Sequence, residues 1–106
     1  VQRFQGLQGA ERMAEPDWAS KNHLANAPVY YQNYLLGEMN TSQILASLRK
    51  ELGPGAKIIN NPKVGRFLAD RIFRPGATQP WNRRLTEATG ERLKPKYFLE
   101  DLRQTV

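Results

Sequence analysis

The sequence predicts an all-α chain in which one long central helix is packed by three or four shorter ones. Three observations carry this. Apolar residues recur at three- and four-residue steps from Tyr31 to Leu52, the period of a helix face. Proline and glycine then divide the second half at Gly53-Pro-Gly, Arg74-Pro-Gly and Gly90, leaving short segments between helix stops. The apolar pair Ile58 and Ile59 is too brief to make a strand.

Taken in order, Val1 to Ala14 has a weak helical pattern through Phe4, Leu7 and Met13, diluted by Gly6 and Gly9. Glu15 to Asn22 reads as a loop, with Trp18 pinning it by burying its ring. Pro28 suits a first helical turn, so the main helix is expected from about Val29 to Leu52. Its stripe is Tyr31, Leu35, Ser42, Leu45, Leu48 and Leu52, widened by Tyr34, Leu36, Met39 and Ile44. So broad a surface implies a buried helix, and Gly37 would let another backbone come close. Asn60 and Asn61 cap a helix with Pro62 first and Val64, Phe67, Leu68 and Ile72 on its apolar face. Thr78 or Gln79 opens the next, with Pro80 near its first position, Trp81, Leu85 and Ala88 inside, and Gly90 past its end. A last helix starts near Pro95 and buries Tyr97 or Phe98, Leu99 and Leu102.

The 106 residues fit one small domain or a piece of a larger one, and 40% apolar content allows a modest core. The first residue is valine, which suggests a cut or processed chain. With no cysteine and one histidine, neither a disulfide frame nor a multi-histidine zinc site can be built from this chain. No apolar run reaches the roughly 20 residues of a membrane span, and no signal-peptide pattern opens the chain. The chain therefore reads as soluble, with the periplasm and the cytoplasm of a bacterium both left open. Net charge is +6, all of it in residues 54–106, where eleven basic and five acidic groups stand. The basic residues are spread among apolar positions, which fits a solvated helix face better than a nucleic-acid surface.

Residues 21–34 concentrate the chemistry: Lys21, the single histidine His23, and Tyr30, Tyr31 and Tyr34. Ammonium, imidazole and phenol groups converging on one place suit a carboxylate or a polarised carbonyl. By residue type alone, such tyrosines are packing residues and such a histidine is a surface group.

Several phrases, in order along nearly the whole chain, give the cluster more meaning. They are Phe4-Gln-Gly-Leu7, Asp17-Trp18, Lys21-Asn-His23, Tyr31-Gln-Asn-Tyr34, Gly76-Ala-Thr-Gln-Pro-Trp81, Leu85 and Thr89-Gly90. Together the sequence resembles the C-terminal end of the angiotensin-converting-enzyme family of zinc peptidyl-dipeptidases, in a bacterial relative. The resemblance implies a helical two-lobed shell around a cleft, with zinc held by His-Glu-x-x-His and a downstream glutamate. No His-Glu-x-x-His occurs here, so zinc would belong to the parent enzyme and the chain alone would be inactive. Residues 1–106 would form a single C-terminal substrate-binding subdomain.

By the same resemblance, Lys21 and Tyr31 hold the terminal carboxylate of a peptide substrate. His23 would bind a substrate backbone carbonyl, and Tyr34 would donate to the oxyanion. Tyr30 keeps the family's distance from the histidine, so it stands beside Tyr31 for the same role. Asn33 takes the place of an arginine that helps bind chloride in the family, which removes the basis for expecting chloride activation. The partners implied are a peptide with a free carboxyl end and the remaining N-terminal catalytic part. The competing readings are a non-catalytic interaction module, self-associating through exposed apolar faces, and a pseudo-peptidase. A basic nucleic-acid binder ranks below both.

Overall fold

A computed structural model describes residues 21–27 and 29–105. The patterns assigned to Val1–Ala14, to Trp18 and to Pro28 lie outside them. The regular elements of the described residues are all helical, with no strand among them. Five α-helices follow in order: α1 (Asn22–Ala25), α2 (Gln32–Leu52), α3 (Pro62–Leu68), α4 (Trp81–Thr89) and α5 (Lys96–Thr105). The predicted fold class is therefore the observed one. The chain divides into two units between Asn33 and Tyr34.

In the first unit, the expected loop gives way at Asn22 to the single turn of α1. Its opening N–H groups are met by one carbonyl: Lys21 O accepts from Leu24 N at 2.9 Å and Ala25 N at 3.0 Å. The long helix begins at Gln32 and not at Val29, because Val29 sits at φ 57°, a left-handed conformation costly for a β-branched residue. The Gln32 amide donates to the Val29 carbonyl, and Asn33 N donates to Tyr30 O at 2.9 Å. Tyr30 and Tyr31 therefore lie on the approach to α2, not on its first turn.

In the second unit, burial of α2 is confined to its C-terminal half. Leu48 is 1% exposed and packs with Val64 and Phe67, flanked by Ile44, Leu45, Leu52 and Leu68. Tyr34 and Leu35 are 55% and 53% exposed, so the expected apolar stripe is covered along only half its length. Gly37 faces open space among the described residues, and no backbone approaches it. Gly53, at φ 96°, closes the helix with its N–H on Arg49 O at 2.9 Å, the left-handed stop that glycine adopts without a Cβ penalty.

Asn61 caps α3 as expected: its Oδ1 accepts from Lys63 N at 3.0 Å, and its Nδ2 donates to Lys57 O at 2.9 Å. Pro62 takes the first position, where its missing N–H costs nothing. The helix expected to continue through Ile72 widens instead into a π-turn, Ala69–Phe73. Arg71 stands in that turn and is its anchor. Its guanidinium meets Glu51 of α2 at 2.6 Å and the Ala88 carbonyl of α4 at 3.2 Å, and lies 4.7 Å from the Phe67 ring centre. Thr78 and Gln79 do not open α4. Gly76–Thr78 forms a 3-10 turn, and Pro80 is the N-cap. Within α4, Leu85 and Ala88 are buried but Trp81 is 46% exposed. On α5, Tyr97 and Phe98 are half-buried. The expected burial of Leu99 and Leu102 is not observed, since about half of each is open to solvent.

One buried polar residue ties this unit together. Gln43, 2% exposed on α2, faces the strap between α4 and α5. Its Nε2 lies 3.0 Å from Thr89 Oγ1, Glu91 O and Arg92 O, and its Oε1 accepts from Lys94 N at 2.8 Å. Three backbone groups of the irregular strap, Glu91 O, Arg92 O and Lys94 N, thereby obtain hydrogen-bond partners that a connection outside helices must find somewhere.

Candidate functional site

Of the five residues singled out by sequence, the structure brings three together. His23 is half-buried on α1. The ring of Tyr30 stacks on it, with centroids 5.9 Å apart and planes 16° from parallel. Tyr31 meets it edge-on, at 5.8 Å and 83°. Both arrangements fall within the favourable range for aromatic pairs. They follow from chain geometry: α1 carries the imidazole up, and the left-handed Val29 turns the backbone so that consecutive tyrosines present a face and an edge. Tyr30 and Tyr31 thus share the histidine. Each tyrosine makes its own kind of contact with that ring.

Lys21 is the exposed N-cap residue of α1, two positions before His23. Tyr34 is the third residue of α2 and belongs to the second unit. Tyr34 is 55% exposed.

The second unit has clefts of its own. One of about 400 Å³ lies between α2 and α3, lined by Glu51, Lys63, Arg66, Phe67, Asp70 and Arg71. Two of its charges, Arg71 and Glu51, already pair with each other. Another, of about 290 Å³, is bounded by Gln43, Ser47, Lys50, Gly90, Glu91 and Tyr97. There the Glu91 carboxylate accepts from the Tyr97 hydroxyl at 2.9 Å, with Lys94 at 3.2 Å and Lys96 at 3.8 Å. The Tyr97 hydroxyl first, and then Lys94, holds the Glu91 carboxyl below its ordinary range. Sequence reasoning identified neither hollow. Glu91, Lys94 and Tyr97 are spread over seven residues whose periodicity signals only a helix start.

The chain belongs to the carboxypeptidase Taq (M32) metallopeptidase family, whose model matches residues 25–106. Neither a curated protein nor a solved structure matches it. The family is thus a metallopeptidase family, as the sequence phrases imply, but not the angiotensin-converting-enzyme family that they resemble. The phrases at residues 76–90 are short, and helix-stop residues such as Gly76, Pro80 and Gly90 recur wherever short helices are joined. Tyr30, Tyr31 and Tyr34 fall inside the matched stretch, whereas Lys21 and His23 precede it.

No group of three His, Cys, Asp or Glu side chains among the described residues could hold a metal ion. The one histidine contacts two tyrosine rings. The residues described here do not form a metal ligand set. No helix among them is long and apolar enough to cross a membrane.

Proposed function

We propose that this chain supplies the substrate-gripping part of a zinc metallopeptidase that acts on the carboxyl end of peptides. The reading rests on the grouping of His23 with Tyr30 and Tyr31, two residues from Lys21, in a chain of a metallopeptidase family named for a carboxypeptidase. Lys21 and a tyrosine hydroxyl hold the substrate's terminal carboxylate by charge-assisted and neutral hydrogen bonds. His23 hydrogen-bonds a backbone carbonyl of the bound peptide and so fixes its direction. Tyr34, a neutral phenol at pH 7, donates to the oxygen that becomes negative as water attacks the scissile carbonyl. Zinc, when bound, supplies a Lewis acid for that reaction. Its ligands come from outside these 106 residues, which hold one histidine and no cysteine.

An anchored carboxylate sets how far from the end the chain is cut. The family's name favours release of one residue, and the sequence phrases favour a dipeptide. Mass analysis of the products from one synthetic peptide separates the two.

In the full-length enzyme, Lys21→Met should raise KM for a free-acid peptide about tenfold or more while leaving the same peptide's amide unaffected. Equal losses on acid and amide would remove Lys21 from carboxylate binding. Tyr34→Phe should lower kcat by about 10²-fold, the usual loss for one oxyanion donor. An unchanged kcat would remove Tyr34 from the mechanism.

A further inference from the structure

We infer that the groove between α4 and the strap after it binds an acidic peptide segment, one in which a carboxylate side chain stands next to an aromatic or leucine side chain. The inference goes beyond the proposed peptidase role and does not rest on it, since the groove lies wholly within the second unit.

The groove holds about 610 Å³ and is lined by Trp81, Asn82, Arg83, Thr86, Arg92 and Leu93. A hollow of that size takes a few side chains of a ligand. One wall is the start of α4, where Asn82 and Thr86 stand four residues apart on one helix face. The Thr86 hydroxyl donates to Asn82 O at 2.9 Å, within that wall. The other wall is the strap. Gln43 holds the carbonyls of Glu91 and Arg92 at 3.0 Å and the Lys94 N–H at 2.8 Å. The backbone on either side of Leu93 is thereby fixed before a ligand arrives, and a pre-set surface binds at a lower ordering cost.

The chemistry of the lining selects the occupant. Trp81 is 46% exposed, and Leu93 is half-buried. Arg92 is exposed, and no carboxylate among the described residues pairs with it. Arg83, by contrast, is held by Glu87 at 3.0 Å. Asn82 Oδ1 accepts from Arg83 N at 2.9 Å, which leaves the side-chain nitrogen to donate. A carboxylate therefore finds a charge-assisted partner in Arg92, and an apolar ring beside it finds the Trp81 indole. Tryptophan and arginine are the residue types that carry binding energy at protein interfaces. A nucleic-acid strand fits less well. It brings a phosphate at every nucleotide, whereas one guanidinium here is uncommitted and the Glu87 carboxylate repels the next phosphate.

The experiment titrates the prepared 106-residue chain into the peptide Gly-Asp-Phe-Asp-Gly, labelled with fluorescein at the amino end and amidated at the other, and reads anisotropy. The amide removes any part for a terminal carboxylate. Replacing Phe by Ala in the peptide should weaken binding about tenfold, and replacing both Asp by Lys should abolish it. Arg92→Gln should weaken binding of the parent peptide about tenfold, the usual size for one charge-assisted bond. Trp81→Ala should do the same for the Phe peptide and change the Ala peptide little, as expected of two groups in contact. Both positions are exposed, and far-UV circular dichroism checks that each variant keeps its helices. Arg74→Gln, which removes the same charge from a residue paired with Asp70 and outside the groove lining, should leave affinity unchanged. Equal losses for Arg74→Gln and Arg92→Gln would reduce the effect to net charge and overturn the inference. Tighter binding of a labelled single-stranded oligonucleotide, weakened by Trp81→Ala, would assign the groove to nucleic acid and overturn it. Absence of peptide binding would overturn it as well, and would give the groove to a second copy of the chain if Trp81→Ala also abolished self-association.

Discussion

Gln43 shows how much one side chain carries in a small domain. It sits on the helix stripe where apolar periodicity calls for a hydrophobic residue, and at 2% exposure it is as buried as Leu85. Its amide serves Thr89, two carbonyls and the Lys94 N–H. Replacement by leucine would keep the volume but leave those backbone groups with neither protein nor full water contact. Gln43→Leu should therefore destabilise the chain by about 2–3 kcal/mol, read as a lower urea midpoint. An unchanged midpoint would show that water replaces the amide at no cost. Glutamine is ordinarily an exposed residue, so its buried role has no signature in the sequence. The aromatic cluster was more legible. Lys21, His23, Tyr30 and Tyr31 are close in sequence, and a turn brings neighbours of that kind together. The interlocked pairing of both tyrosines with His23 depends on the left-handed Val29, and valine is among the last residues expected there.

At the scale of elements, stops were easier to read than starts. Gly53 and Gly90 end α2 and α4 in left-handed conformations, because glycine lacks the Cβ that resists them. Asn61 and Pro62 open α3 for equally local reasons. One element is set by partners distant in sequence. The π-turn holds Arg71 against Glu51 and Ala88 O, and residues 69–73 give no local sign of it. The strap leading to α5 is held by Glu91, whose carboxylate takes Tyr97, Lys94 and Lys96 as partners. Because the folded Glu91 carboxyl titrates below its ordinary range, its contribution is fully present above the unfolded value near 4.5. It is lost as pH falls through the lower folded value. Thermal unfolding between pH 6 and pH 3 should thus show a steeper fall in Tm for the native chain than for Glu91→Gln. Parallel curves would remove Glu91 from the acid response.

At the scale of the molecule, burial is sparse among the described residues. Leu48, Val64, Phe67, Leu85 and Ala88 are the buried apolar side chains among the described residues, while Tyr34, Leu35, Phe73, Trp81, Leu99 and Leu102 stay open. Exposed apolar surface of this kind promotes association. The prepared 106-residue chain should therefore form dimers or larger species by light scattering as concentration rises, and a monomer at every concentration would count against it. The remaining part of the proposed peptidase would cover the same faces in the full protein, so co-expression of the two parts should suppress self-association.

Helix content, the stops at Gly53 and Gly90, the cap at Asn61 and the membership of a metallopeptidase class were already determined by the order of residues, because period, cap and turn chemistry act within a few positions. Tertiary structure alone decided that α2 is covered on only half its length, that Arg71 and Gln43 bind the helices to one another, and that His23 contacts both Tyr30 and Tyr31. Those outcomes depend on groups distant in sequence or on a backbone conformation that local preference disfavours, and only the folded chain brings such groups within reach.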